Sequence, residues 1–114
     1  MKLDSSKSMK EWRLEQKLRL ASIICSQLHF GDEDKRAVKF LILNIDNFKL
    51  LSRKESNETI IAALCFYCMK TQNSSLQIDS YNVLKDYGLT YNNYATIITH
   101  LANFYQKKCL NQFV

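Results

Sequence analysis

The chain has 114 residues, enough for one domain built around one modest hydrophobic core. Apolar residues make up 46% of it and charged residues 24%, proportions typical of a globular protein. It has no proline and only two glycines, so a β-rich fold, which needs many tight turns, is not expected. The net charge of +5 permits contact with nucleic acid or with an acidic protein surface.

The N-terminus is polar and lacks the apolar stretch that defines a signal peptide. We therefore expect an intracellular protein whose four cysteines are reduced thiols. The longest apolar run, Ile60–Met69, is too short to span a bilayer and predicts no membrane segment.

Residues 1–8 are interpreted as a polar, flexible leader, and residues 9–114 as a single domain of five helices. A first helix is predicted over about 9–29, because its apolar residues recur mostly at spacings of three and four. Its predicted buried stripe is Trp12, Leu14, Leu18, Leu20, Ile23, Ile24 and Leu28. A second helix is predicted over about 33–51, with an apolar set that includes Phe40 and Leu50.

The third helix, predicted over about 57–72, is apolar on every face and should lie at the centre of the bundle. Ser56 or Asn57 is its candidate N-cap. A short fourth helix is predicted over about 79–87, with Asp79 as N-cap and Gly88 as the residue that ends it. Thr90 is the predicted cap of a fifth helix that runs to about Lys107.

This order of elements, with Ile61–Lys70 as an apolar third helix rich in small residues and ending in a lysine, resembles the cyclin-box fold. It is most similar to the core repeats of transcription factor IIB and to those of the smallest subunit of the origin recognition complex. The resemblance covers about residues 12–106 and implies an all-α bundle whose last two helices form a helix-turn-helix-like pair. It also implies a nuclear location.

Three kinds of function follow from that resemblance. The first is a protein–protein adaptor in a transcription-initiation or replication-origin assembly, with tyrosines enriched as they are at interfaces. Its interface candidates are Tyr91, Tyr94, Tyr105 and Lys70. Self-association through the same tyrosine-rich face is an open alternative.

The second is direct DNA binding by the pair over residues 79–108, whose second helix would place asparagines near base edges. Cations before and after that helix would hold phosphates. The candidates are Arg53, Lys54, Lys85, Asn92, Asn93, Lys107 and Lys108.

The third kind of function is cyclin-like kinase regulation. The resemblance ties this function to a lysine that ends the third helix and to a glutamate in the fifth. Lys70 matches the lysine, but the predicted fifth helix contains no acidic residue.

No catalytic function, cofactor or metal is expected. The pair Cys65 and Cys68 has the spacing of a metal or redox motif, but it lies inside the apolar run, where thiols behave as small hydrophobes. His29 and His100 fall on different helices, and the chain has neither a glycine-rich phosphate loop nor a nucleophile elbow.

Overall fold

Residues 8–45 and 47–112 are described by the structure, a computed structural model. Within them the chain forms α-helices and no β-strand, which confirms the predicted all-α class. The helices are α1 (Met9–Gln27), α2 (Asp32–Asn44), α3 (Asn57–Gln72), α4 (Asn82–Asp86) and α5 (Tyr91–Gln112). Two short 3₁₀ turns, Phe48–Leu50 and Ile78–Ser80, precede α3 and α4 respectively. None of the described helices is long and apolar enough to cross a membrane.

The centre of the fold is α3, as predicted. Its residues from Thr59 to Phe66 are all buried, and so is Cys68. The helix contacts α1, α2, α4 and α5, so its apolar side chains meet partners on every side. The side-chain oxygen of Ser56 accepts a hydrogen bond from the backbone nitrogen of Thr59, which confirms Ser56 as the N-cap.

The predicted buried stripe of α1 was wrong in part. Trp12 and Ile23 are 50% and 49% exposed, whereas Ala21, Ile24 and Cys25 are buried against α2 and α3. The helix carries more apolar side chains than one contact stripe can cover, and spacing alone does not select which of them face inward.

The end of α1 was also predicted too late. His29 adopts a positive φ of 60° just after the helix, and the backbone nitrogen of Phe30 bonds to the carbonyl oxygen of Cys25. The backbone nitrogen of His29 bonds to the carbonyl oxygen of Ser26. These two bonds form a Schellman motif with histidine at the position that glycine usually occupies.

The second helix was predicted over 33–51, and this was wrong: α2 ends at Asn44. The amide of Asn44 donates to the carbonyl oxygen of Phe40, and Asn47 accepts a hydrogen bond from the backbone of Lys49. The side chain of Asn47 thus satisfies the backbone nitrogen of Lys49, which a longer helix would have bonded to the carbonyl oxygen of Ile45. Phe40 and Leu50, predicted as part of the apolar face, are 61% and 52% exposed.

The fourth helix begins later than predicted, because Asp79 lies in a 3₁₀ turn and α4 starts at Asn82 with no side-chain cap. Gly88 has φ +85°, and the nitrogens of Gly88 and Leu89 bond to the carbonyl oxygens of Lys85 and Leu84. Gly88 therefore ends α4 as predicted. The following helix, α5, continues past the predicted end at Lys107 to Gln112.

The predicted leader and the end of the chain are described only in part. Residues 1–7 lie outside the described residues, and Ser8 is the N-cap of α1, with its side-chain oxygen accepting from the nitrogen of Glu11 at 3.1 Å. Ser8 is therefore tied to the helix and not to the leader.

Candidate nucleic-acid interface

A groove with a volume of about 660 Å³ runs between the segment that precedes α3 and the start of α5. We call it the loop–α5 groove. It is lined by Lys49, Leu50, Ser52, Arg53, Lys54, Glu55, Thr90, Asn92, Asn93, Thr96 and His100. Four of the predicted DNA-binding candidates, Arg53, Lys54, Asn92 and Asn93, therefore come together in one place, although residues 53 and 92 are far apart in the chain.

The α5 wall of the groove is held by a reciprocal cap. The nitrogen of Asn93 donates to the hydroxyl oxygen of Thr90 at 3.2 Å, and the nitrogen of Thr90 donates to the side-chain oxygen of Asn93 at 2.7 Å. The side-chain nitrogen Nδ2 of Asn93 also donates to the carbonyl oxygen of Gly88 at 2.8 Å and to the carboxylate oxygen Oε2 of Glu55 at 3.4 Å. Asn93 is thus occupied in holding the wall, which leaves Asn92 as the exposed asparagine of the groove.

The opposite wall is fixed to α5 by His100, which sequence reasoning did not connect with this site. Its Nδ1 lies 2.7 Å from the carbonyl oxygen of Leu51, so a hydrogen bond joins the middle of α5 to the end of the 3₁₀ turn. Ser52 then accepts a hydrogen bond from the backbone of Glu55 at 3.3 Å. These bonds position the intervening residues Arg53 and Lys54, both of which are exposed.

The charge of the groove is predominantly positive. Among the described residues, its lining contains three cationic side chains, Lys49, Arg53 and Lys54, against the single carboxylate of Glu55. The cations therefore outnumber the carboxylate. An anion approaching the first turns of α5 would meet this cluster.

The remaining DNA-binding candidates lie elsewhere. Lys85 is exposed on α4 and is not part of the groove lining. Lys107 follows Asn92 by 15 residues on the same helix, which places it about 22 Å further along the axis. Lys108 belongs to α5, but its side chain lies outside the described part of the chain.

The predicted interface tyrosines are engaged within the fold. The hydroxyl of Tyr91 bonds to the side-chain oxygen of Gln77 and accepts a hydrogen bond from the backbone of Ile78 at 3.2 Å. Tyr94 packs edge-on against Phe66 with 5.2 Å between ring centroids.

The third of these tyrosines, Tyr105, has a buried hydroxyl with no hydrogen-bond partner among the described residues. Lys70, the fourth interface candidate, is half-buried in the last turn of α3. Tyr94 and Tyr105 therefore contribute to internal packing, whereas Tyr91 is 42% exposed.

The cysteines lie away from the groove and close to one another. The sulfur atoms of Cys25 and Cys65 are 3.8 Å apart, and both residues are buried. The hydrogen bond to Cys25, together with burial, raises the pKa of Cys65, and burial raises the pKa of Cys68 to about 11. Thiols with raised pKa values stay protonated near neutral pH and are weak nucleophiles and weak metal ligands. Among the described residues no cluster of three metal-ligating side chains occurs.

Comparison with known proteins identifies no relative: no protein-family model, no curated protein and no solved structure matches this chain. The function of the groove therefore has to be inferred from its own residues.

Proposed function

We propose that this chain is a non-catalytic binding module that contacts double-stranded DNA through the loop–α5 groove. The observation that carries this proposal is the position of Lys49, Arg53 and Lys54 beside the first turns of α5. Cations at such a place neutralise backbone phosphates, and phosphate contacts supply much of the affinity of DNA-binding proteins.

The exposed face of α5 supports the same function. Asn92, Thr96 and His100 follow one another at spacings of four, so they share one face of the helix. This face is polar and carries no lysine, arginine or carboxylate side chain, and cations flank it on the side of the loop. A helix of that kind fits the major groove, where side-chain amides and hydroxyls hydrogen-bond to base edges while the flanking cations hold the phosphates.

We further propose that the bundle is a cyclin-box-like domain that acts in the nucleus. The support is the buried third helix with its small residues and terminal Lys70, followed by a short α4, a glycine turn and a long α5. Fold analogy of this kind does not by itself define the activity. The DNA contact proposed here depends on the groove and not on the analogy.

An adaptor function is a second candidate, and a separate observation favours it. Several large apolar side chains are exposed near the outer surface of α1 and α2, among them Met9, Trp12 and Phe40. Exposed aromatic side chains are common anchors of protein–protein interfaces. In this role the module would join DNA contact to a protein partner in a transcription-initiation or replication-origin assembly.

The DNA proposal is tested by fluorescence anisotropy of a labelled mixed-sequence duplex titrated with the full chain, at salt concentrations from about 50 to 200 mM. The double variant Arg53→Gln with Lys54→Gln should bind more weakly at each salt concentration. Its plot of log affinity against log salt should be shallower by about 1.8, because two phosphate contacts are lost.

The matched control is Arg36→Gln with Lys39→Gln, which removes the same charge from exposed positions of α2 outside the groove. It should leave the salt slope within about 0.5 of the original value. No binding at the lowest salt, or equal losses in the two double variants, would contradict DNA binding by this groove.

A further inference from the structure

A second groove, of about 420 Å³, lies on another part of the surface, between α1 and the segment where α2 ends and the first 3₁₀ turn follows. We call it the α1–α2 groove. Its cations are Lys10, Arg13, Lys17 and Lys49, and no described residue of its lining is acidic. Both the sign and the density of charge select a polyanionic occupant.

Three of these cations come from a single face of α1. Residues 10, 13 and 17 are spaced by three and four, which aligns their side chains along one side of the helix. Glu11 follows Lys10 by one position and Glu15 follows Arg13 by two, so both carboxylates lie on a different side of the helix. The helix therefore separates its charges, and the positive side faces the groove.

The deepest cation is held by an aromatic ring. The ammonium nitrogen of Lys17 lies 4.2 Å from the centroid of the buried Phe48 ring. Burial, and then repulsion by Arg13, lowers the pKa of Lys17. A carboxylate placed between Lys17 and Arg13 would offset the repulsion between these two cations and favour the charged form of Lys17.

The groove also has apolar lining. Leu14 is half-buried beside the cations, Leu43 is 49% exposed at the edge, and Ile42 and Ile45 lie beneath. No aromatic side chain is among the described lining residues, and one face of the Phe48 ring is covered by Lys17. Single-stranded nucleic acid binds proteins by stacking its bases on exposed rings, and the described lining presents none.

We propose that the α1–α2 groove binds an acidic peptide segment of a partner protein, in which apolar side chains alternate with aspartate or glutamate. The carboxylates pair with Lys10, Arg13 and Lys17, and an apolar side chain of the peptide packs against Leu14 and Leu43. This goes beyond DNA binding, since it assigns a separate surface to a protein ligand. Among the described residues only Lys49 lines both grooves, so the two can be tested with different variants.

The probe is a fluorescent peptide of about twelve residues in which glutamate alternates with leucine. Two comparison peptides carry serine in place of every leucine, or glutamine in place of every glutamate. The full chain is titrated into each peptide, and anisotropy gives the dissociation constant. Each variant protein is first checked by its thermal melting curve.

The first variant is Lys10→Gln with Arg13→Gln, and the second is Leu43→Ser. The control is Arg19→Gln with Arg36→Gln, which removes two exposed cations that do not line the groove. We expect the glutamate–leucine peptide to bind about tenfold more weakly to the first variant and about fivefold more weakly to the second. The control should change binding by less than about twofold, and both comparison peptides should bind at least about fivefold more weakly than the probe.

Equal binding of the serine peptide and the leucine peptide would overturn the proposal, because the groove would then recognise charge alone. Equal losses in the control and in the first variant would overturn it too. A third contrary result is a tenfold loss of duplex DNA binding in the Lys10→Gln, Arg13→Gln variant, which would make this groove part of a nucleic-acid path. Failure of DNA binding in the Arg53→Gln, Lys54→Gln experiment leaves the peptide result unaffected.

Discussion

The hydroxyl of Thr59 donates a hydrogen bond to the carbonyl oxygen of Tyr87, with 2.6 Å between the two oxygens. Thr59 is a buried polar side chain in the first turn of the central helix α3, and Tyr87 ends α4. The same hydroxyl lies 3.1 Å from that of Ser56. This hydrogen bond joins the start of α3 to the turn that leads into α5. The turn sets the direction of the α5 wall of the loop–α5 groove.

Replacing Thr59 by valine keeps the shape of the side chain and removes this hydrogen bond. We expect the free energy of unfolding to fall by about 1–2 kcal/mol, because the carbonyl group of Tyr87 loses its partner in a partly buried position. Urea denaturation followed by circular dichroism measures the change. Thr71→Val is the control, since the hydroxyl of this exposed residue bonds to the carbonyl oxygen of Cys68 within its own helix. If Thr71→Val lowers the free energy of unfolding as much as Thr59→Val does, the bond to Tyr87 contributes no more than a bond within one helix.

Gly88→Ala should destabilise the chain by more than about 1 kcal/mol. At φ +85° an L side chain is strained, and a Cβ there would lie 3.2 Å from the hydroxyl oxygen of Thr59. Gly31→Ala provides the comparison, because Gly31 has φ −77° and nothing within 4 Å of the added carbon. Because Gly31 is the N-cap of α2, where alanine is less favourable than glycine, its replacement should cost up to about 1 kcal/mol, less than that of Gly88. Thermal melting of the two variants under the same conditions decides between position-specific strain and a general intolerance of alanine.

His29→Gly should stabilise the chain, by about 0.5–1 kcal/mol, although it removes a side chain. His29 ends α1 with φ 60°, a conformation that glycine adopts without strain. The same change at Ser26, inside the last turn of α1, should destabilise by about 1 kcal/mol. Urea midpoints of the two variants should therefore move in opposite directions. A shift of both to lower urea would rule out strain at His29.

Tyr94 should ionise late in an alkaline titration. Burial, with smaller contributions from Tyr67 and Cys68, raises the pKa of its hydroxyl from 10.0 to about 12. Because the folded state holds this proton more tightly than the unfolded state, the associated stability is complete below pH 10 and is lost as pH rises through 12. Burial also raises the pKa of Tyr105, so two hydroxyls contribute to the late phenolate absorbance. The amplitude of this late component should fall in Tyr94→Phe and stay unchanged in Tyr91→Phe. An unchanged amplitude in Tyr94→Phe would contradict the assignment.

The sequence predicted best where structure is decided locally. The boundaries of α3 and the caps at Ser56 and Thr90 were correct, because each depends on side chains within three residues of the helix end. Gly88 was recognised for the same reason: a single residue type satisfies its backbone conformation.

The errors arose where distant contacts decide. The apolar pattern continued through residue 51, but α2 ends at Asn44. Ile45, Phe48 and Leu51 are buried from the segment that follows, which includes a 3₁₀ turn. His29 at positive φ was not predicted, since residues other than glycine take this conformation in only a few per cent of cases.

The loop–α5 groove could be predicted only in part. Arg53 and Lys54 were singled out as a basic loop near the helix-turn-helix-like pair, and the structure places them beside Asn92. His100 was not connected with this site, because its bond to Leu51 joins residues separated by 49 positions. Contacts at such separations depend on how the helices pack and leave no local pattern.

The burial of α3 has a consequence for how the chain can be divided. Since α1, α2, α4 and α5 each contact this helix, no cut leaves a fragment that keeps both α3 and its full set of neighbours. We therefore expect the backbone amides of Ile61–Phe66 to exchange with solvent deuterium only when the whole domain opens, while amides of α4 exchange through local fraying. The domain should therefore be inherited and exchanged between proteins as one unit. Insertions should occur at the turns between helices, and loss of any one helix should not be tolerated.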